Sequence, residues 1–154
     1  TCGAPMITPP PLPEGYLTTN FTLVELACKC GCGTLPGPGF LTKLQQLRDD
    51  FGKPMQITSG ARCAAHNMKV ASTGPNGPHV VVVWRSSSGQ GAVDVLIHGP
   101  NAFELVAVAM NLRQWWGFGL KQHGPLHNRF IHIDNIWNSV SVPRPRIWTY
   151  EGDV

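Results

Sequence analysis

The sequence predicts a single α+β domain in which a small antiparallel sheet is flanked by helices. Only 14% of the 154 residues are charged, whereas there are 17 glycines and 14 prolines, which favours many turns and excludes a long-helix bundle. Helical and strand-like patterns are intermixed along the chain without βαβ alternation. The 42% of apolar residues suffice for one core.

The N-terminal segment differs in composition from the rest of the chain. Residues 1–19 are rich in proline and lack apolar periodicity, so they are predicted to form an extended arm, and residues 20–154 the folded domain. The domain begins with a short helix predicted over about 22–27. Thr22 and Glu25 have the spacing of a capping box, in which each side chain binds a backbone N–H of the first turn.

Periodic patterns define the next elements. Apolar residues recur every three or four positions over 40–51, and Gly52 follows as a stop signal, so an amphipathic helix is predicted there. Residues 55–58 alternate like a short strand, and residues 62–72 are compatible with a helix.

A β-hairpin is predicted in the middle of the chain. Residues 80–84 (VVVVW) and 91–97 are β-prone runs, and the polar residues 86–89 between them indicate a turn.

The last helix is predicted over 101–113, with Asn101 as its N-cap. Its apolar face is predicted to comprise four residues, namely Phe103, Val106, Ala107 and Met110. Two more short strands are predicted over 118–121 and 130–135.

Five cysteines cannot all pair within one chain. Three of them stand as Cys-x-Cys-x-Cys over residues 28–32, a spacing tighter than that of most zinc knuckles. The sequence leaves three roles open, which are buried thiols with a possible pairing to Cys63, a small metal site, and redox catalysis.

Ionisable side chains interrupt two of the apolar strands. Asp94 lies in the run 92–95, and His132 and Asp134 lie in the run 130–134. Residues two apart in a strand point to the same face, so His132 and Asp134 should project together. Two imidazoles and a carboxylate with one open position form a catalytic zinc site, and the predicted ligands are His79, Asp94 and His132. Each could alternatively be an ordinary hydrogen-bonded group.

Five segments resemble zinc D-alanyl-D-alanine carboxypeptidases and their phage endolysin relatives. They are residues 57–67 (ITSGARCAAHN), 75–79 (PNGPH), 89–94 (GQGAVD), 117–119 (GFG) and 129–134 (RFIHID). The first segment of the domain, residues 21–33, and the C-terminal segment 144–148 also resemble the phage-type members, so the resemblance covers nearly residues 20–150. The resemblance implies a compact α+β domain that holds one Zn²⁺ through His79, Asp94 and His132.

The resemblance also implies roles for other residues. Arg62 would bind a substrate carboxylate or polarise the scissile carbonyl, unless it is only a salt-bridged residue at a helix start. Some family members have a carboxylate where this chain has Arg129, so the general base must lie elsewhere. Asp134 is the first candidate and His127 the second, and Asp134 could instead orient His132.

The segment between the first two predicted ligands is unusually long. Fourteen residues separate His79 from Asp94, whereas the family usually has a much shorter segment, so residues 80–88 are an insertion. As part of a hairpin, it would lie beside the metal and change the substrate groove. It could also have disrupted the site.

The resemblance implies a peptidase that acts on the stem peptide of peptidoglycan. It would be a D-Ala-D-Ala carboxypeptidase or a stem or cross-bridge endopeptidase, in a bacteriolytic phage-type endolysin. The alternatives are a non-catalytic zinc-containing module that recognises cell wall or protein, as in the hedgehog signalling domain, and a structural domain without metal.

Charge and hydropathy limit the partners. A net charge of +3 is far from the basic surface of a nucleic-acid binder, so we expect no nucleic-acid partner. No apolar run approaches the length of a membrane span, so we expect no membrane insertion, and we expect a monomer. Without an evident signal peptide, we expect synthesis in the cytoplasm and action in the bacterial periplasm or cell wall, either after release during phage lysis or by means of a leader that has been removed.

Overall fold

Five α-helices, five strands and two 3₁₀ helices, Gly74–Asn76 and Leu126–Asn128, lie in the part of the chain that the computed structural model describes, residues 10–150. The helices are α1 (Leu23–Leu26), α2 (Pro38–Phe51), α3 (Ala64–Val70), α4 (Val83–Ser87) and α5 (Gly99–Asn111). The strands are β1 (Gln56–Ser59), β2 (Ala92–Leu96), β3 (Gly117–Lys121), β4 (Phe130–Asp134) and β5 (Arg146–Thr149). Much of the predicted arm, residues 1–9, lies outside the described residues, and the arm stays a prediction.

The five strands form one mixed sheet in the order β1-β2-β4-β3-β5. The first four pair antiparallel, and β5 pairs parallel with β3. The predicted α+β class with flanking helices is confirmed. The sheet is not purely antiparallel, because the long connection after β4 brings the tail back in the direction of β3.

The two faces of the central strands have different surroundings. Val93, Val95, Ile131 and Ile133 belong to the main hydrophobic cluster, together with side chains of α2 and α5. The alternate residues of the same strands face the other side of the sheet, where the polar groups lie. None of the helices within residues 10–150 has the length and hydrophobicity that a membrane-spanning helix needs.

The predicted signals at the first two helices are confirmed. The Thr22 side chain accepts a hydrogen bond from the backbone N–H of Glu25, and the Glu25 carboxylate accepts one from the N–H of Thr22 at 2.9 Å. Helix α2 ends at Gly52, whose φ of 69° lies in the left-handed region that glycine adopts without strain.

The predicted N-cap of the last helix is wrong, and of its predicted apolar face only Val106 packs against the core. Helix α5 begins at Gly99, because Pro100 is well suited to the first turn of a helix. Its buried residues are Ala102, Leu105 and Ala109, while Phe103 is 78% exposed. Val106 packs against the core beside these residues, whereas Ala107 and Met110 are exposed like Phe103, because the buried face is rotated about the helix axis relative to the prediction.

The predicted hairpin is also wrong, since residues 83–87 form helix α4. Val80 is buried and forms an isolated parallel bridge with Arg62, after which the chain turns into the helix. Strand propensity largely reflects packing of the side chain on a half-buried sheet. Because Val83 is 88% exposed, it makes little such packing and its propensity does not determine its conformation. Helix α4 packs against α2, and the segment 80–90 contributes no residue to the lining of the main cavity.

Arg85 explains why a helix is stable at this position. Its side chain is only 4% exposed and points inward, where Nη1 donates to the carbonyl oxygen of Gly77 at 2.7 Å and Nη2 to that of Asn76 at 3.0 Å. The guanidinium therefore holds the loop that leads to His79. Burial lowers the pKa of Arg85 below its ordinary value.

Arg85→Met is expected to lower the free energy of unfolding by about 2 kcal/mol, because the carbonyl groups of Gly77, which is buried, and of Asn76 lose their donor. Urea denaturation measures this change. The matched control is Arg129→Met, which removes a solvent-exposed hydrogen bond from a half-buried side chain to the carbonyl oxygen of Gly124, and there we expect less than about 0.5 kcal/mol. Equal losses in the two variants would contradict the role of Arg85.

Candidate metal centre

The three predicted ligands converge at one point. Asp94 of β2 lies directly opposite His132 of β4 in the antiparallel register, and His79 reaches them from the loop before α4. The Asp94 Oδ1 atom lies 2.9 Å from His132 Nδ1 and 3.2 Å from His79 Nε2. The two imidazole nitrogens are 3.1 Å apart. The insertion has therefore not separated the ligand positions.

The outer nitrogen of each imidazole has a hydrogen-bond acceptor. His79 Nδ1 lies 2.8 Å from the carbonyl oxygen of Gly60, which can only accept. His132 Nε2 lies 2.9 Å from Asp134 Oδ2. With the ring protons on these outer nitrogens, the inner nitrogens of neutral rings both present lone pairs to Asp94.

Three electron-pair donors that face one another need a cation between them. A zinc ion with ligand distances of about 2.0–2.1 Å and tetrahedral angles separates its ligand atoms by about 3.3 Å. The separations of 2.9–3.2 Å among these three atoms are close to that value. The donor set therefore fits zinc, and all three residues line the cavity described below.

The pKa values in this centre reflect burial opposed by charge. Burial alone would raise the pKa of Asp94, but His79 and His132 hold it well below its ordinary value. Burial alone would lower the pKa of His132, but hydrogen bonds to Asp134 and Asp94 outweigh it and raise the pKa to about 9. The surroundings thus favour a positive charge between the three groups, whether a proton or a metal.

The Arg144 guanidinium binds the Asp134 carboxylate. Burial opposes ionisation of this carboxylate, but Arg144 and His132 lower its pKa to about 2. Arg144 Nε donates to Asp134 Oδ1 at 2.9 Å, and Arg144 Nη2 donates to Oδ2. Gly117 makes room for this pair, because a Cβ atom there would lie 2.2 Å from Asp134 Oδ2.

A cavity of about 760 Å³ opens over the three ligands. Three guanidinium groups line it, those of Arg62, Arg144 and Arg146. The Trp148 ring, also in the lining, lies 5.1 Å from the His132 ring, and the absence of a side chain at Gly119 leaves space for it. The cavity is therefore cationic, with an aromatic wall beside the centre.

Arg62 is anchored to the edge of this cavity. Its Nη2 atom lies 3.5 Å from Asp94 Oδ2 and donates to Ser59 Oγ at 2.7 Å, and its Nη1 donates to Asn67 Oδ1 at 3.1 Å. Arg62 therefore contacts a candidate metal ligand and also lines the cavity.

Neither predicted base presents an acceptor to the cavity. Asp134 is fully buried, and its oxygens accept from Arg144, His132 and the backbone N–H of Ile136. His127 is exposed in a 3₁₀ turn and is not among the residues that line the cavity. Of the two roles considered for Asp134, this geometry favours orientation of His132.

The tail contributes residues that were not assigned a role from the sequence. Arg144, Arg146, Trp148 and Tyr150 all line the cavity. Burial, followed by the charge of Asp94, raises the pKa of Tyr150 to about 12. The signal that could have identified these residues was the likeness of the segment 144–148 to the family, since that segment has no place in the core pattern.

Comparison with known proteins identifies the family. The family model of peptidase M15 matches residues 18–134, which is most of the chain. No match is found among curated proteins or among solved structures. The match includes the three residues of the candidate metal centre. The chain belongs to the peptidase M15 family, the zinc D-alanyl-D-alanine carboxypeptidases and their relatives.

Proposed function

We propose that this protein is a zinc-dependent peptidase that cleaves the stem peptide of peptidoglycan. The observation that carries the proposal is the convergence of His79, Asp94 and His132 at the base of a cationic cavity. The three residues would hold the zinc ion. When bound, zinc supplies a Lewis acid that polarises a carbonyl group and acidifies water.

The residues around the centre keep its geometry fixed. The Gly60 carbonyl and the Asp134 carboxylate orient the two imidazoles by accepting their outer N–H protons. Arg144 neutralises Asp134, which lets this carboxylate stay ionised although it is buried. Such fixed orientation reduces the reorganisation needed when a peptide carbonyl enters the cavity.

The guanidinium groups indicate the class of substrate. Guanidinium binds carboxylate with paired, charge-assisted hydrogen bonds, so Arg62 and Arg146 favour a peptide with a carboxylate near the scissile bond. The stem peptide of peptidoglycan meets this requirement through its terminal and side-chain carboxylates. We propose that Arg62 binds such a carboxylate or polarises the scissile carbonyl.

The biological setting follows from this substrate. We propose that the protein acts on the bacterial cell wall or in the periplasm as a monomer, in the manner of a phage endolysin. This setting agrees with the resemblance of residues 21–33 and 144–148 to phage-type members of the family. Cleavage would remove a terminal D-alanine or cut within the stem or cross-bridge.

Purified peptidoglycan incubated with the protein is expected to release fragments with new amino or carboxyl termini, because the centre cleaves peptide bonds. Mass spectrometry of the soluble fragments measures this and identifies the bond. Addition of a chelator should abolish the release, and zinc should restore it.

Unfolded casein, a peptide substrate without D-residues, is the control for specificity and should be cleaved far more slowly. Release of fragments broken only at glycosidic bonds would contradict the proposal. Stoichiometric zinc at this centre with binding but no cleavage of the wall would instead favour the alternative, a zinc-containing binding module.

A further inference from the structure

Four cysteine sulfurs meet at a second point, separate from the candidate metal centre. They belong to a group that we call the cysteine cluster, comprising Cys28, Cys30, Cys32 and Cys63. All four Sγ atoms lie within 4.8 Å of one another. The first three follow α1, and the fourth precedes α3, so the cluster joins two segments that are distant in sequence.

We propose that the cysteine cluster binds a structural zinc ion through four thiolates, in addition to the ion at the candidate metal centre. Zinc–sulfur bonds of about 2.3 Å with tetrahedral angles place sulfurs about 3.8 Å apart. The distance between the Sγ atoms of Cys30 and Cys63 is 3.7 Å, and that between Cys28 and Cys30 is 3.3 Å. Binding releases the thiol protons to solvent.

The backbone of the loop after α1 is shaped to bring three sulfurs together. Cys28 donates its N–H to the carbonyl oxygen of Thr34 at 2.9 Å, which closes the loop on itself. Gly31 and Gly33 each have a φ of 78°, in the left-handed region that favours glycine. The chain can therefore reverse direction between cysteines only two residues apart.

Backbone amides point at two of the sulfurs. The N–H of Cys63 donates to Cys28 Sγ and that of His66 to Cys63 Sγ, each at 3.3 Å. Such donors fix the orientation of the sulfurs, as outer hydrogen bonds orient the ligands of a metal ion. A disulfide would use only two of the four sulfurs.

The cluster and the candidate metal centre share one segment of backbone. Ala61 donates its N–H to the carbonyl oxygen of Leu26 at 2.8 Å, and Gly60 accepts from His79. A Cβ atom on Gly60 would lie 2.5 Å from the Leu26 oxygen, so the two segments touch. In the segment 60–63, Arg62 therefore lies between Gly60, whose carbonyl oxygen orients His79, and Cys63 of the cysteine cluster. A zinc ion with four protein ligands in the cysteine cluster would hold the segment 60–63 in place. The candidate metal centre supplies only three protein ligands among residues 10–150 and leaves room for a substrate or water.

The first test is metal content after purification without added zinc. Wild-type protein should carry about two zinc ions per chain, and Cys32→Ser and Cys63→Ser about one. The matched control is His98→Ala, which changes an exposed possible ligand that belongs to neither group of converging residues and should leave two. One ion in wild-type protein and an unchanged content in both cluster variants would overturn the proposal.

Cobalt substitution separates the two sites by their ligands. Co²⁺ in the wild-type protein should show an intense thiolate-to-metal charge-transfer band, which Cys32→Ser weakens strongly and His132→Ala leaves intact. This result does not depend on hydrolysis, so the cluster can be present even if the proposed peptidase activity is not. A band that disappears in His132→Ala but persists in Cys32→Ser would contradict the assignment.

A third measurement applies if the cluster variants do not fold. In the Cys2→Ser protein, titration with an organic mercurial should release about one zinc ion as the four cluster thiols react. Release of no zinc would overturn the proposal. An intact mass lower than that of the fully reduced chain by two hydrogens per bond would also overturn it, because it would show disulfides.

Discussion

His132→Ala is expected to remove zinc from the candidate metal centre and to reduce hydrolysis of stem peptides by about a thousandfold or more. The imidazole supplies one of three protein ligands, and a metal contributes several kcal/mol of stabilisation to the transition state. Zinc content should fall by about one ion per chain. Elemental analysis and a mass-spectrometric assay of muropeptides measure the two effects.

The matched control is His98→Ala. His98 is exposed before α5, and its side chain makes no capping hydrogen bond, so this variant should keep wild-type zinc content and rate. If His132→Ala retained both, His132 would not be a ligand, and the convergence with His79 and Asp94 would have another cause.

Asp134→Asn is expected to lower the free energy of unfolding by about 3 kcal/mol and to weaken zinc binding by about 10–100-fold. The substitution leaves the buried charge of Arg144 without its anionic partner, which carries a large cost. It also removes the carboxylate that accepts from His132, and loss of such a partner loosens the ligand. Chemical denaturation and competition with a zinc chelator provide the two values.

An isosteric control separates this effect from a general loss of charge. Asp49→Asn changes an exposed carboxylate that accepts from Gln45, and we expect less than about 0.5 kcal/mol and unchanged zinc affinity. A result in which Asp134→Asn keeps normal zinc affinity but loses hydrolysis would favour the general base over the orienting role.

The sequence was most informative where one residue determines one local structure. Thr22, Glu25 and Gly52 are local signals that depend on no distant contact, and they mark the ends of α1 and α2 correctly. The alternation of β4 likewise places Ile131 in the core and His132 on the opposite face. Periodicity is a property of the strand itself, so it can be read before the fold is known.

The errors lie where tertiary contacts override propensity. Val83 and Trp84 are β-prone, yet the inward hydrogen bonds of Arg85 to carbonyl groups eight and nine residues earlier stabilise a helix there. Strand β5 pairs with β3 across a long connection, a contact that no local pattern reveals. The role of Arg144 depends on this pairing, because only the folded tail brings it to Asp134.

The position of the tail affects how this domain should be delimited for expression and engineering. The family match ends at residue 134, but Arg144, Trp148 and Tyr150 form one wall of the cavity beyond that limit. A protein shortened to the matched region would lose the guanidinium that neutralises Asp134, together with the edge strand of the sheet. The minimal working unit therefore extends at least to Tyr150, and fusion partners belong beyond that residue.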